Sequence, residues 1–356
     1  MVGNRIFYVN NGITVAIHNL TITTAIKPDF GGAIYNSGTL TINGCNFTEN
    51  DANNGGVIYN SGILTITGSN FSFNSATYVS SGDGYGGVIY NIGTCTVTSS
   101  TFNNNTAAID GSVIYTTNAN TQIHFNRIID NKDLSIYSTV SGVNAINNWW
   151  GSNPSPLEKV SNNVNVSTWL ILTITANPIS IPVSGTSNIT ADLNHNWDGT
   201  NIQDVSALGH VQDGIPINFT TTSGIIDSSM LTINGTAIAT LTGTEYAIAN
   251  VTATLDNQTV STTVTIGNID LKPTITETPT NPYTGLPYNV KAIVSNTGTN
   301  DAGIFKVGLF DNGVLVGNLI TIDGLIAGSS TETLIWSWIP AFGTPGIHNL
   351  TVMVDA

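Results

Sequence analysis

The chain has 356 residues, a net charge of −14 and 8% charged side chains, against about 25% in ordinary soluble domains. It holds no uninterrupted run of about 20 apolar residues, which excludes a membrane-spanning helix, and its apolar residues alternate too finely for disorder. Residues 170–268 carry seven acidic and no basic side chains, so nothing there neutralises phosphates, which argues against nucleic acid and anionic lipid as partners.

From the N-terminal end, one unit recurs. Gly31-Gly-Ala-Ile-Tyr-Asn36, Gly55-Gly-Val-Ile-Tyr-Asn60 and Gly86-Gly-Val-Ile-Tyr-Asn91 are each followed by an alternating strand and by Phe-x-x-Asn. Aligned on the Ile-Tyr pair, Ile34, Ile58, Ile89 and Ile114 lead to a decayed copy at Ile136. A unit near 24 residues cannot bury its own apolar face, so copies must stack. Stacking at about 4.8 Å puts like over like. The isoleucines and Phe47, Phe71 and Phe102 then form dry columns, and Asn50, Asn74, Asn105 and Asn131 an inner amide ladder at a sharp bend. The expected fold class is all-β: a right-handed parallel β-helix over residues 1–169, followed by two immunoglobulin-like β-sandwich domains.

Where the repeat fades, Asn147-Asn-Trp-Trp-Gly-Ser-Asn-Pro154 offers two large rings and then chain-breaking residues. An open β-helix end exposes core and strand edges, so Trp149 and Trp150 are expected to be its lid. Cys45 and Cys95 fall at different repeat positions two coils apart, beyond disulfide reach, and read as buried thiols.

After Leu172 the period disappears. Strands near 179–183, 187–193, 215–221, 237–241, 247–255 and 259–266 suggest one sandwich over residues 170–268. Strands near 270–276, 287–296, 305–311, 314–322, 331–338 and 348–354 suggest a second over 269–356, with Asp311-Asn-Gly313 as a hairpin turn. Short linkers predict a stiff rod. No charged or apolar leader follows Met1 and no anchor closes the sequence, so an excerpt of a longer exported protein is expected.

Candidate sites are sparse. A Gly/Ser-rich insertion between coils carries Tyr78, Asp83 and Tyr85 and reads as a possible ligand surface. Asp192, Asp198 and Asp204, with His195 and His210, crowd an expected loop over 194–211, a weak Ca²⁺ candidate without the Asp-x-Asp-x-Asp-Gly spacing of a specific site. No other cofactor is expected. A polysaccharide lyase needs a base and metal-holding carboxylates, and a hydrolase needs converging carboxylates. The acids of the repeat segment (Asp29, Glu49, Asp51, Asp83, Asp110) fall at scattered repeat positions, so no catalytic residues are assigned. The eleven Asn-x-Ser/Thr sequons match what this Asn-, Ser- and Thr-rich composition gives by chance.

On these motifs, the first segment resembles β-helical surface proteins, including chlamydial polymorphic membrane proteins. With Asn148-Trp-Trp-Gly-Ser-Asn-Pro154 it looks most like adhesin-like proteins of methanogenic archaea. The second resembles the invasin/intimin-type Ig-like repeat through Asp213-Gly-Ile-Pro-Ile-Asn-Phe219 and Ala249-Asn-Val-Thr-Ala-Thr254. The third resembles the CARDB adhesion module through Val294-Ser-Asn-Thr-Gly298 and Val307-Gly-Leu-Phe-Asp-Asn-Gly313. The resemblance implies a non-catalytic, extracellular cell-surface or cell-wall protein, of an archaeon, attaching to carbohydrate or another cell's envelope. The alternatives are a structural surface-layer or spacer protein and, third, a polysaccharide lyase or hydrolase.

Overall fold

A computed structural model of the chain describes residues 5–77, 82–340 and 347–355. Its first part is a parallel β-solenoid. Equivalent short strands from successive coils pair in register into sheets of six, seven, five and four strands, all parallel. The six-stranded sheet stacks Phe7–Val9, Ile34–Asn36, Ile58–Asn60, Ile89–Asn91, Ile114–Thr116 and Ile136–Ser138.

Period-two alternation decides what each strand buries. In Ile34–Asn36 the isoleucine and asparagine point inward and are fully buried, while Tyr35 between them stays half-exposed. Ile34, Ile58, Ile89, Ile114 and Ile136 sit directly over one another. Phe47, Phe71 and Phe102 stack with ring centroids 4.9 Å apart at each step. Cys95 takes the inward place of Leu64 and Leu40; both cysteines are free and buried.

The bends are held by side-chain amides. Asn50 donates from both its backbone N–H and its Nδ2 to Oδ1 of Asn74, at 3.0 and 2.9 Å. Asn74 repeats this to Asn105, and Asn105 to Asn131. Two further ladders occupy other corners. Asn36, Asn60 and Asn91 form one, and Asn126 and Asn148 form the end of another. At the corner entering the six-stranded sheet, Gly31, Gly55, Gly86 and Gly111 all lie near φ +65°. A Cβ on Gly55 would sit 2.3 Å from the carbonyl oxygen of Ile58, so glycine is required there on both counts.

The second part is a two-sheet β-sandwich. One sheet contains Trp169–Asn177, Thr186–Trp197, Thr236–Thr242 and Ile225–Ile226; the other contains Ser180–Pro182, Gln258–Gly267, Ala247–Leu255, Pro216–Thr221 and Ser229–Leu231. The third part is a smaller sandwich of two three-stranded sheets. In its hairpin Asn312 and Gly313 both take positive φ, as a two-residue turn of matching twist demands. No helix among the described residues is long and apolar enough to cross a membrane.

Three expectations change. Instead of a loop over 194–211, Thr186–Trp197 runs as one long strand, and Ile202–Asp204 folds back on its end. The first two parts also do not follow one another as a simple rod. The sandwich lies against one flank of the solenoid, touching the corner line of Gly68, Ser99, Phe125 and Asn147. Gln212 Nε2 donates to the Gly68 carbonyl at 3.2 Å, Ser99 Oγ to the His210 carbonyl at 2.8 Å, and Asn196 Nδ2 to Asn147 Oδ1 at 2.8 Å. The physical reason is apolar cover: Phe125, Ile129 and Trp149 point away from the solenoid interior and pack into the sandwich core.

That also corrects the reading of Trp149 and Trp150 as a joint lid. Neighbouring residues of an extended segment face opposite ways. Trp150 enters the solenoid core, whereas Trp149, fully buried, belongs to the sandwich core. The solenoid end is closed instead by Val160, Val164, Val166, Trp169 and Ile171, with Trp197 packed against them. Trp169 and Ile171 point into the solenoid, and Leu170 and Leu172 into the sandwich.

Candidate functional site

The outward residue of each strand in the six-stranded sheet is a tyrosine. Tyr8, Tyr35, Tyr59, Tyr90, Tyr115 and Tyr137 form one continuous row, with successive ring centroids 4.7 to 5.5 Å apart and planes within 23° of parallel. Each interior ring therefore presents its faces to its neighbours along the row. The guanidinium of Arg5 lies 5.0 Å from the Tyr35 ring centroid. Phe30 tilts onto Tyr59 at 4.8 Å and Tyr85 onto Tyr115 at 4.7 Å.

Crowding of phenols raises their proton affinity. Partial burial, then the neighbouring Tyr90, Tyr85 and Tyr137 and the carboxylate of Asp110, push Tyr115 up to about 12. Tyr59 and Tyr90 move in the same direction, chiefly through burial. The row was open to sequence reasoning through the Ile-Tyr pair itself: if the isoleucine faces in, the tyrosine one step on must face out.

Of the expected ligand loop, Tyr78 lies outside the described residues. Asp83 is held by Asn53 Nδ2 at 3.1 Å and Asn54 Nδ2 at 3.3 Å, and the backbone N–H of Tyr85 donates to Asn54 Oδ1 at 3.0 Å. These residues fasten the insertion to the coil before it, while the Tyr85 ring joins the tyrosine row.

The three aspartates considered for Ca²⁺ do not converge, and no group of three or more His, Cys, Asp or Glu able to hold a metal occurs among the described residues. Asp192 accepts from Thr173 Oγ1 at 3.0 Å and the backbone N–H of Asn194 at 2.9 Å, with His195 Nδ1 2.8 Å away. Asp198 accepts from the N–H groups of Asn201 and Thr200, which hold its carboxyl below the usual range. Asp204 turns to Ser206, which lowers it likewise. Asp198 and Asp204 are each committed to a turn, and Asp192 to the strand pair with Thr173 and to His195.

The acids of the solenoid are equally local. Asp51 accepts from Ser75 Oγ. Asp110 is raised by partial burial and then by Asp133. The best-built polar cluster is structural. Asp256, at the sandwich hairpin, accepts from Nε of Arg127 at 3.0 Å and from Nε1 of Trp149 at 2.6 Å, and pairs with the second nitrogen of the same guanidinium. No local pattern around Arg127 marks this contact, because its partner lies 129 residues away.

The fold and its faces thus define an all-β protein of stacked repeats and sandwiches. Residues 268–356 match the CARDB family, and residues 99–117 match the Chlamydia polymorphic membrane protein repeat. Among solved structures, the chain is similar to the C-terminal 282-residue fragment of intimin, solved in complex with the intimin-binding domain of the translocated intimin receptor. The identity is 16% and the TM-score 0.26, over 48% of this chain and 64% of that one. The chain thus spans less than two thirds of the length of that solved chain, and a likeness this distant carries no argument. No curated protein matches the chain.

Proposed function

We propose that this chain is a non-catalytic segment of a cell-surface, adhesin-like protein. In this reading its solenoid faces engage carbohydrate on another cell's envelope, and its sandwiches hold that face at a distance. One observation carries the reading: the outward side chains form long regular rows, while Asp198 and Asp204 are each bonded into a turn of their own and Asp256 into a structural joint. A surface of repeated identical groups suits extended, repetitive ligands, whereas chemistry needs unlike groups brought together. The matches to the polymorphic membrane protein repeat and to CARDB point the same way.

The test is saturable binding of the labelled full chain to whole cells and isolated envelopes, before and after periodate oxidation of surface sugars. Binding lost on periodate treatment fits the proposal; protease-sensitive, periodate-resistant binding moves the ligand to protein.

A second reading, a structural spacer of the envelope, is favoured by the joint at Asp256, which locks the solenoid to the first sandwich. Failure to bind any envelope would select it.

A further inference from the structure

Next to the tyrosine row, the corner between the six- and seven-stranded sheets leaves a shallow channel of about 470 Å³. Its lining repeats with the coils. Ser37 and Ser61 each follow the last residue of a row strand, at the bend where the chain leaves the six-stranded sheet. The opposite wall contains Thr39, Ile63 and Thr94, which sit in register on neighbouring coils. The channel therefore runs along the solenoid axis. Its floor is bare peptide, because a Cβ at Gly62 would lie 2.1 Å from the carbonyl oxygen of Gly38.

We propose that this channel binds a linear, uncharged glycan lying parallel to the solenoid axis. The inference rests on the carbohydrate reading above and narrows it to a site and a chemical class. No charged side chain lines the channel, so a polyuronide would lose hydration without gaining a cation. Asp29 and Asp110, close enough to the tyrosine row to raise Tyr59 and Tyr115, would repel it further. The serine hydroxyls donate inward, Ser37 to the Val9 carbonyl and Ser61 to the Asn36 carbonyl, which leaves each oxygen able to accept from a sugar hydroxyl.

The coil spacing of about 4.8 Å is close to the advance of one pyranose unit in an extended chain, so one contact set recurs at each unit and weak contacts add. Stacking of sugars on tyrosine faces is not the mode, because the faces within the row are covered by neighbouring rings.

The experiment is calorimetric titration of the full chain with cellohexaose, chitohexaose and hexagalacturonate, with circular dichroism as the check on folding. At least one uncharged hexamer is expected to bind, more tightly than its trimer and than hexagalacturonate. Ile63→Trp and, independently, Thr39→Trp fill the channel from half-exposed or partly exposed positions and should weaken binding about tenfold or more. Ser72→Trp, on a different outer face, should leave it unchanged.

Unaltered affinity in both filled variants, or preference for the galacturonate, overturns the proposal. So does silence toward both uncharged hexamers in a chain that still adheres to envelopes in a periodate-sensitive way, and in that case the adhesive reading stands without this site. Silence toward hexamers and envelopes alike removes both.

Discussion

Trp149 and Asp256, 107 residues apart, meet through a 2.6 Å bond from the indole Nε1 to the carboxylate Oδ2. Arg127 completes the contact from the coil before. The carboxylate is largely buried, and the guanidinium is 18% exposed. Removing one partner of such a cluster strands the other charge, whereas removing both relieves it. Asp256→Ala is expected to cost about 3 kcal/mol, with Arg127→Ala/Asp256→Ala clearly milder than the sum of its single changes. Urea unfolding of the four-member mutant cycle measures this; additive losses would mean that the pair is not coupled.

The amide ladder makes a contrasting pair of predictions. Asn74 accepts twice from Asn50, at the backbone N–H and at Nδ2, and donates to the Phe47 carbonyl. Asn74→Ala strands two buried donors at about 1–3 kcal/mol each. Asn70 also bonds across coils, donating to Asn46 of the coil before, but on the outer face. Asn70→Ala should stay within about 0.5 kcal/mol of the parent. Denaturant midpoints decide, and equal losses at the two sites would refute the distinction between inner and outer ladders.

Ring stacking in the tyrosine row is separable from its hydroxyls. Tyr59 contacts Tyr35, Tyr90 and Phe30. Tyr59→Phe keeps those contacts and should be close to neutral. Tyr59→Ala should lose about 1.5–4.5 kcal/mol, at about 0.5–1.5 for each of the three aromatic pairs. Thermal unfolding followed by near-ultraviolet circular dichroism reads both.

Alkali should destabilise the fold in two stages. Burial pushes the Cys95 thiol up to about 12, while an unfolded thiol ionises near about 8.5. Between those values the unfolded chain binds fewer protons than the folded one, so stability falls as pH rises. The row tyrosines act in the same direction: an unfolded phenol titrates near about 10, and Tyr115 is held at about 12. Cys95→Val should remove the decline that begins near about pH 8.5 and leave the steeper one above about pH 10. Folded chain should also resist iodoacetamide at Cys95, since the reagent needs thiolate and access. Rapid labelling of Cys95 without unfolding would contradict its placement.

Much of this architecture was legible because like residues recur. Ile34, Ile58, Ile89 and Ile114, and the Phe-x-x-Asn units, announce a stack whose period is written in the chain. Most sandwich strands were readable from alternation and turn residues, but Trp169–Asn177 and the end of Thr186–Trp197 were not. What escaped depends on contacts that no local pattern encodes. Trp149 looks like Trp150 until its side of the strand is known, and Asp256 looks like any hairpin aspartate until Arg127 is beside it. Asp192, Asp198 and Asp204 seemed to gather because they are close in sequence, yet Asp192 bonds across a strand pair while Asp198 and Asp204 serve separate turns. Gly68, Ser99, Phe125 and Asn147 mark a corner of the repeat, and nothing in a single unit says that a sandwich will lie on it.

The strand that leaves the solenoid carries a mechanical consequence. From Trp169 to Leu172 its side chains are shared in alternation between the two interiors, so neither body can come apart without extracting residues from the other. Tension applied to the chain at this junction would meet a strand clamped from both sides. The solenoid's final coil and the first sandwich should yield together, in one rupture event rather than two.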